Sequence, residues 1–243
     1  MNWLAGSGLE VNVFHYGAVL NAYARVGKWA EALELLASMA VRSVEANTIT
    51  CSAAVSACEK ARNWKEALRL LSAMVDRHIE TDTIAYSAGI SACEKAGEWE
   101  QAAQLFASMV RERVDAYTIT YSAVISACEK CGQWARALDL LGAMGRAGLE
   151  ADVITYNAAI SACEKSGEWA RALALFGEMK TMLLETDTVA YSGAVSACEK
   201  GGEWERAASL LSAMVRCAVE LDTIVCSAAI SACEKRSESR RAM

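Results

Sequence analysis

The sequence contains no proline and only two histidines and three phenylalanines in 243 residues. The absence of proline removes the strongest helix breaker, and together with 54% hydrophobic residues, many of them alanine, it favours helix throughout. Positive charge is also scarce, because 24 lysines and arginines stand against 30 aspartates and glutamates, a net charge of −6. This balance argues against the basic surface that is usual in nucleic-acid-binding proteins.

Long hydrophobic runs and catalytic motifs are missing as well. No apolar run reaches the ~18 residues of a membrane-spanning helix, and no targeting segment is visible in the first residues, although a longer precursor could carry one. Nucleophile, P-loop and dinucleotide-binding signatures are absent. The carboxylates recur as repeated surface charges, with no isolated pair suited to acid–base catalysis. We therefore expect a protein that is not an enzyme and that binds no cofactor and no small-molecule substrate.

What the sequence does contain is a repeat with a period of 35 residues. Three residue types mark it: tryptophan at 29, 64, 99, 134, 169 and 204, methionine at 39, 74, 109, 144, 179 and 214, and cysteine at 58, 93, 128, 163, 198 and 233. A fixed period of this size indicates a repeat array in which each unit contacts only its neighbours.

Each repeat is predicted to be a helical hairpin. In the copy at 153–187, Tyr156, Ile160 and Cys163 recur at helical spacing in the first half, and Gly167 then interrupts the pattern. The second half places apolar residues from Trp169 to Met179 at the i, i+3, i+4 and i+7 spacing of an amphipathic helix. We call the two predicted helices helix A and helix B, and we expect tryptophan, leucine or phenylalanine, and methionine to pack successive repeats together.

The bounds of the other repeats follow from the copy at 153–187 by moving along the chain in steps of 35 residues. Six full repeats are predicted at 13–47, 48–82, 83–117, 118–152, 153–187 and 188–222, with the tail of a preceding repeat at 1–12 and an incomplete seventh at 223–243. We expect the chain to be a segment of a longer array.

The ten cysteines do not form a disulfide framework in this interpretation. Successive members of the cysteine column would lie a helix-packing distance apart, beyond the ~7 Å that a disulfide allows between Cα atoms. The pair Cys128 and Cys131 has CxxC spacing, but the sequence holds no second such pair, and His15 and His78 fall in different repeats. We expect reduced thiols and no metal site.

A 35-residue, two-helix unit that reads xxTYNxxIxAxxKxGxxxxALxLFxxM and closes with Asp or Asn resembles the pentatricopeptide repeat, and the resemblance covers residues 13–235. This chain lacks the proline that usually precedes the closing residue of that family. The resemblance implies an all-α, right-handed α-solenoid superhelix with helices A on its concave side. It also implies binding of single-stranded RNA, one base per repeat, in support of RNA processing, editing, stability or translation in a mitochondrion or chloroplast.

The resemblance assigns base reading to the fifth and last residues of each repeat. These pairs are Gly17 with Asn47, Ser52 with Asp82, Ser87 with Tyr117, Ser122 with Asp152, Asn157 with Asp187, and Ser192 with Asp222, followed by Ser227. By the family's pattern the six repeats would prefer any base, G, any base, G, U and G, from 5′ to 3′. Two other interpretations remain open: an Asp or Asn before a helix is a typical N-cap, and a small serine permits close helix packing.

Two further columns carry alternatives of the same kind. The second residues, which in the family flank the base, are Phe14, Ile49, Ile84, Ile119, Ile154, Val189 and Ile224; ordinary packing would also explain them. The cations that end each helix A, which in the family approach phosphates, are Arg25, Lys60, Lys95, Lys130, Lys165, Lys200 and Lys235. These cations also complement the helix dipole, and the glutamate that precedes each lysine nearly cancels its charge.

Two other functions remain possible from the sequence. The concave surface could serve as a protein-binding scaffold, and an RNA-processing enzyme would require a catalytic domain beyond Met243. Enrichment of a short motif from a random RNA pool would favour the RNA-binding interpretation over the scaffold.

Overall fold

The computed structural model describes residues 12–217, 219–220 and 222–241, apart from the side chains of Cys233 and residues 235–241. This part of the chain contains helices and no strand, which confirms the predicted all-α class. Helices A are Val13–Val26, Thr48–Lys60, Thr83–Ala96, Thr118–Lys130, Val153–Lys165, Thr188–Gly201 and Thr223–Arg241. Helices B are Trp29–Val41, Trp64–Asp76, Trp99–Arg111, Trp134–Arg146, Trp169–Thr181 and Trp204–Arg216.

The turn between helix A and helix B uses a left-handed residue. Gly27 has φ 74° at the end of the first helix A, and Gly97 and Gly202 take the same place later in the chain. Glycine adopts this conformation without a Cβ penalty. In the second repeat the same position holds Arg62, whose φ of 57° is unusual for a residue with a side chain.

The chain divides into two compact units, the first up to Ala116 and the second from Tyr117. In the first unit, each helix A packs against its own helix B, and successive helices A of the unit pack against one another. From the second repeat on, helix A also packs against the preceding helix B. Its core is formed by Tyr16, Leu20 and Met39 in the first repeat and by Val55 and Met74 in the second.

The second unit repeats the same packing from helix A Thr118–Lys130 to helix A Thr223–Arg241. Phe176 and Tyr191 meet edge to face with ring centroids 4.8 Å apart, which joins helix B of one repeat to helix A of the next. Both units are therefore stacks of helical hairpins, each stabilised by contacts between neighbouring repeats.

The predicted packing columns differ in how deeply they are buried. The six methionines that recur every 35 residues are fully buried, as are the six alanines that precede them by seven residues, at 32, 67, 102, 137, 172 and 207. The six tryptophans lie only partly buried at the start of helix B. The guanidinium carbon of Arg206 lies 4.8 Å from the ring centroid of Trp169, and that of Arg171 lies 5.6 Å from the ring centroid of Trp134. The tryptophans therefore contribute less to the core than we expected from the sequence.

The described cysteines are free thiols. Cys58, Cys93, Cys128, Cys163 and Cys198 are buried, and burial raises the pKa of Cys128 to about 11. Cys131 is exposed, so the CxxC pair is split between core and surface. Within the described residues no three His, Cys, Asp or Glu side chains cluster as metal ligands would. None of the described helices is both long and apolar enough to cross a bilayer.

Candidate functional site

The last residues of the repeats are N-caps. A side-chain Oδ1 accepts the backbone N–H of the third residue of the following helix A at 2.7–3.0 Å, in Asn47, Asp82, Asp152, Asp187 and Asp222. Each cap satisfies one of the backbone donors that a helix start leaves unpaired. Tyr117 makes no such bond, and 54% of its surface is exposed. The capping interpretation of the sequence is thus confirmed for five members of this column.

The fifth residue of a repeat lies against the last residue of the same repeat. Ser52 Oγ donates to Asp82 Oδ1 at 2.9 Å. Asn157 Nδ2 lies 3.1 Å from each carboxylate oxygen of Asp187. The structure therefore brings together, at two repeats, the two side chains that the resemblance pairs as base readers.

Three other repeats arrange the pair differently. Ser122 Oγ lies 2.5 Å from Thr155 Oγ1, which in turn lies 2.6 Å from Asp152 Oδ1, so a threonine of the next helix A stands between the two predicted readers. Among the described hydrogen bonds none joins Ser192 to Asp222. Gly17 is buried and has no side chain with which to contact Asn47.

Asn157 is the most informative of these residues. Its Nδ2 is directed to Asp187, and its Oδ1 is buried without a hydrogen-bond partner among the described atoms. A buried acceptor left unpaired costs free energy. The amide cannot be turned over to relieve this, because its oxygen would then face the carboxylate. Asp187 therefore holds the Asn157 side chain in an orientation that leaves its acceptor, Oδ1, without a hydrogen bond.

The second residues of helices A are exposed apolar side chains. Their exposed fractions run from 59% to 79% in Phe14, Ile49, Ile84, Ile119, Ile154, Val189 and Ile224. They lie three positions before the fifth residue, on the same face of helix A. Core packing does not explain side chains this exposed, so the column forms an apolar surface beside the paired polar residues.

The lysine column is occupied by ion pairs between repeats. Lys95 lies 2.5 Å from Glu59, Lys165 lies 2.5 Å from Glu129, and Lys200 lies 2.6 Å from Glu164, each glutamate belonging to the preceding repeat. Two of these glutamates also accept a hydrogen bond from the serine four residues before the lysine: Glu59 from Ser91 and Glu129 from Ser161. The glutamate that neutralises each of these lysines therefore belongs to the preceding repeat, and not to the lysine's own repeat as expected from the sequence.

The first lysine of the column has a different environment. Ala24 occupies the glutamate position of the first repeat, and Lys60 has no ion-pair partner in the described part of the chain. Lys60 is exposed, as is Arg25. Lys130 is also exposed, and the Lys235 side chain lies outside the described residues. Among Lys60, Lys95, Lys165 and Lys200, only Lys60 is therefore not already paired with a carboxylate.

The serine–glutamate–lysine contacts were not foreseen from the sequence. Their signal was present in the unchanged run Ser-Ala-Cys-Glu-Lys, which recurs in six repeats. Serine and lysine stand four residues apart and share one helix face, while the glutamate points to the next repeat. Only the stacking of helices A identifies that partner.

Comparison with solved structures identifies the fold. The crystal structure of the maize pentatricopeptide repeat protein PPR10 matches with a TM-score of 0.64 at 22% identity, over 99% of this chain and 36% of that one. The PPR10 complex with an 18-nt psaJ RNA element matches with a TM-score of 0.57 at 18% identity, over 99% and 40%. The PPR domain of Arabidopsis thaliana PRORP1 in complex with tRNA matches with a TM-score of 0.66 at 12% identity, over 74% and 95%. The predicted helical-repeat solenoid is thus confirmed, and the chain spans about 36–40% of the length of PPR10.

Sequence comparison identifies the family. No curated protein matches the chain. A family model described as pentatricopeptide repeat-containing protein matches residues 1–109. A model described as PPR repeat family matches 116–165 and 151–200, and one described as PPR repeat matches 189–219. Together these matches run along most of the sequence, and the chain belongs to the pentatricopeptide repeat family.

Proposed function

We propose that this chain binds single-stranded RNA with one base per repeat, read by the fifth and last residues. The observation that carries the proposal is the pair Asn157 and Asp187, whose geometry fixes an amide with an unused acceptor. The solved relatives support it, since PPR10 is seen with an RNA element and the PRORP1 domain with tRNA.

Repeat 5 has the groups that would recognise uracil. Uracil offers one N–H donor between two carbonyl acceptors, and an amide can both accept and donate. The Asn157 Oδ1 would accept the base N–H after a small rotation of the side chain, which would relieve its unpaired state. Ile154 and Val189, exposed on successive helices A, would cover the two faces of the base.

Repeat 2 has groups that suit guanine. The Ser52 hydroxyl donates its only proton to Asp82, so toward a base it can act only as a hydrogen-bond acceptor. Guanine presents N–H donors on its Watson–Crick edge, and the Ser52 hydroxyl oxygen would accept a hydrogen bond from them. The same two residue types occur in repeats 4 and 6, where no hydrogen bond of the described residues joins the serine to the aspartate, so the guanine preference proposed there follows the resemblance. The proposed preference along repeats 1 to 6 is any base, G, any base, G, U and G.

The electrostatics set limits on this binding. The chain carries a net charge of −6, and Lys95, Lys165 and Lys200 are neutralised by glutamates. Phosphate contacts would come chiefly from Lys60 and from the lysines that exchange a carboxylate for a phosphate. We therefore expect a shallower dependence of affinity on salt than one free lysine per repeat would give.

The proposed biological role is binding rather than catalysis. The three matching family models all describe repeats, and repeats of this kind would act in the processing, editing, stability or translation of a transcript. The proposed location is a mitochondrion or chloroplast, on family grounds. A protein-binding scaffold is the second candidate, favoured by the negative net charge and by the exposed apolar column.

Selection from a randomised RNA pool at moderate salt tests the proposal. The full chain should enrich RNAs that share guanine, uracil and guanine at three consecutive positions, corresponding to repeats 4 to 6. The matched control is Asp187→Asn with Asn157→Asp, which exchanges the two groups and should remove the uracil preference. If the selection enriches no motif and the chain binds a specific protein partner, the result would contradict RNA binding and support the scaffold function.

A further inference from the structure

The fourth residue of helix A is a tyrosine in repeats 1 and 3 to 6, but a cysteine, Cys51, in repeat 2. In repeat 3 the corresponding Tyr86 ring is buried, and its hydroxyl donates to Glu112 Oε2 at 2.7 Å. The equivalent hydroxyl of Tyr156 reaches Met182 Sδ at 3.1 Å. The tyrosine thus fills the space between helices and directs its polar end to the residue 26 positions later.

Repeat 2 lacks this ring and has a larger cavity in its place. A cavity of about 310 Å³ lies between helix B of repeat 1 and both helices of repeat 2, with Cys51 in its wall. The corresponding groove beside Tyr86 measures about 250 Å³. Most of the other residues that line the larger cavity are apolar, with Leu36, Leu70 and Met74 among them. A largely apolar cleft of this size can hold a small aromatic ring.

The charges around the two spaces have opposite signs. Arg77 stands in repeat 2 where Glu112 stands in repeat 3. Arg69 and Arg77 are the charged residues that line the larger cavity, whereas the groove beside Tyr86 is lined by two carboxylates, those of Asp76 and Glu112, and by Arg111. Arg69 is held by Glu66 at 2.8 Å, while Arg77 has no ion-pair partner in the described part of the chain.

We propose that this cavity is a binding site for a small aromatic carboxylate. The ring of the ligand would occupy the place of the missing tyrosine ring, between Leu36 and Met74, with its carboxylate on the Arg77 guanidinium. The apolar walls bind the ring by excluding water, and the unpaired arginine supplies a charge-assisted hydrogen bond. The site is separate from the base-reading pairs and does not depend on RNA binding.

The test uses 4-methylbenzoate, which has the outline of a tyrosine side chain with a carboxylate in place of its hydroxyl. Titration of the full chain followed by NMR should show saturable binding, with shifts confined to repeats 1 and 2. Uncharged 4-methylphenol should bind more weakly. Arg77→Gln should weaken binding of the carboxylate about tenfold or more, since a charge-assisted hydrogen bond is lost, and should leave 4-methylphenol unaffected.

Two variants fill the space and should abolish binding. Cys51→Tyr restores the ring that other repeats carry, and Ala40→Leu fills the cavity from its mouth, so either one serves if the other fails to fold. The matched control is Tyr86→Cys in the Cys51→Tyr background, which opens the equivalent space against Glu112 and should admit 4-methylphenol but not 4-methylbenzoate. Wild-type chain without saturable 4-methylbenzoate binding, or unchanged binding in both filled variants, would overturn the proposal.

Discussion

Asn157 Nδ2 lies 3.1 Å from both carboxylate oxygens of Asp187, and Asp187 in turn caps the next helix A through the Ala190 N–H at 2.9 Å. One carboxylate therefore serves two purposes: it begins a helix, and it orients the amide of the preceding helix A. The capping role is therefore compatible with the base-reading role that we propose for the same column. Loss of the cap, as in Asp187→Ala, is therefore expected to lower stability as well as any contact to a base, whereas exchange of Asn157 leaves the cap intact.

We predict that Asn157→Ser changes the preferred fifth base from U to G. The serine would reproduce the contact of Ser52 with Asp82 and would present only acceptors to the base. Loss of a matched hydrogen bond costs about 1 kcal/mol, or more if a buried group is left unpaired. Binding of four RNAs that differ only at the fifth base is the measurement.

The control for this variant is the set of RNAs that differ at the second base, which Ser52 and Asp82 would read. Their ranking should be the same for wild type and variant. If both proteins rank the four fifth-base RNAs identically, readout by the fifth residue is wrong for this chain.

Removal of the glutamates should strengthen RNA binding. In Glu59→Gln with Glu129→Gln, Lys95 and Lys165 lose their carboxylate partners and become available to phosphates. The log–log salt slope should steepen by roughly 0.7 for each additional phosphate that a lysine neutralises on a single strand. Binding isotherms across a series of salt concentrations provide the measurement.

The matched comparison is between Lys60→Ala and Lys95→Ala. Because Lys60 has no paired glutamate in the described part of the chain, Lys60→Ala should reduce the salt slope more than Lys95→Ala does. Equal log–log salt slopes for wild type, Lys60→Ala and the double glutamine variant would show that the lysine column contacts no phosphate and serves only in the packing of repeats.

Arg62→Gly should stabilise the protein. Arg62 has φ 57°, a conformation that costs a residue with a side chain roughly 1 kcal/mol and glycine almost nothing. The stabilisation should reach about 1 kcal/mol, less a few tenths for the greater freedom of glycine in the unfolded chain. Urea unfolding monitored by circular dichroism measures it.

Gly97→Ala is the reverse experiment at the equivalent position of repeat 3. A Cβ there would meet no atom within 4 Å, so only the backbone at φ 79° opposes it. Destabilisation of about 1 kcal/mol is expected. Arg62→Gly and Gly97→Ala with effects of the same sign would rule out backbone strain as the cause.

Methionine should matter more than tryptophan to stability. Met144 is fully buried, and Met144→Ala should cost about 2–5 kcal/mol through the cavity that it leaves. Trp134 lies only partly buried under Arg171, so Trp134→Ala should cost less than the ~3–5 kcal/mol of a fully buried ring. Chemical unfolding of the two variants, compared in one denaturant series, would contradict this if Trp134→Ala were the more damaging.

High pH should destabilise the chain through its buried thiols. Burial raises the pKa from the ordinary 9.0 to about 12 in Cys93 and to about 11 in Cys58, Cys128, Cys163 and Cys198. The folded state holds these protons after the unfolded state has released them. Their contribution is therefore complete below pH 9 and is lost as the pH rises toward 11–12.

Thiol labelling at pH 8 tests the same burial directly. Cys131 and Cys217 are exposed and should react at once, whereas the buried column should react only as fast as the protein opens. Cys163→Ser should leave the fast phase unchanged and remove one thiol from the slow phase. Labelling of the buried column at the rate of Cys131 would show that these thiols are accessible.

The helices of this protein could be predicted from the sequence because their signals are local. Period, apolar spacing and the Asp or Asn before each helix A predict the hairpins, and these caps form as expected at Asn47 and Asp82. The pairing of Asn157 with Asp187 came from the resemblance, and the structure places the two side chains in contact. A residue pattern that recurs in every repeat can predict such side-chain contacts, because each repeat packs against the same kind of neighbour.

The sequence by itself determined the all-α class, the hairpins, the caps and the buried methionine column, since each depends on spacing along one helix. Only the tertiary structure decided the partners of residues that point away from their own repeat. Lys95 could have faced solvent, and packing of the helices A places it on Glu59. Likewise Cys51 shows in the sequence only as a missing tyrosine. The space that it leaves, and Arg77 at its edge, depend on how three helices pack around that position.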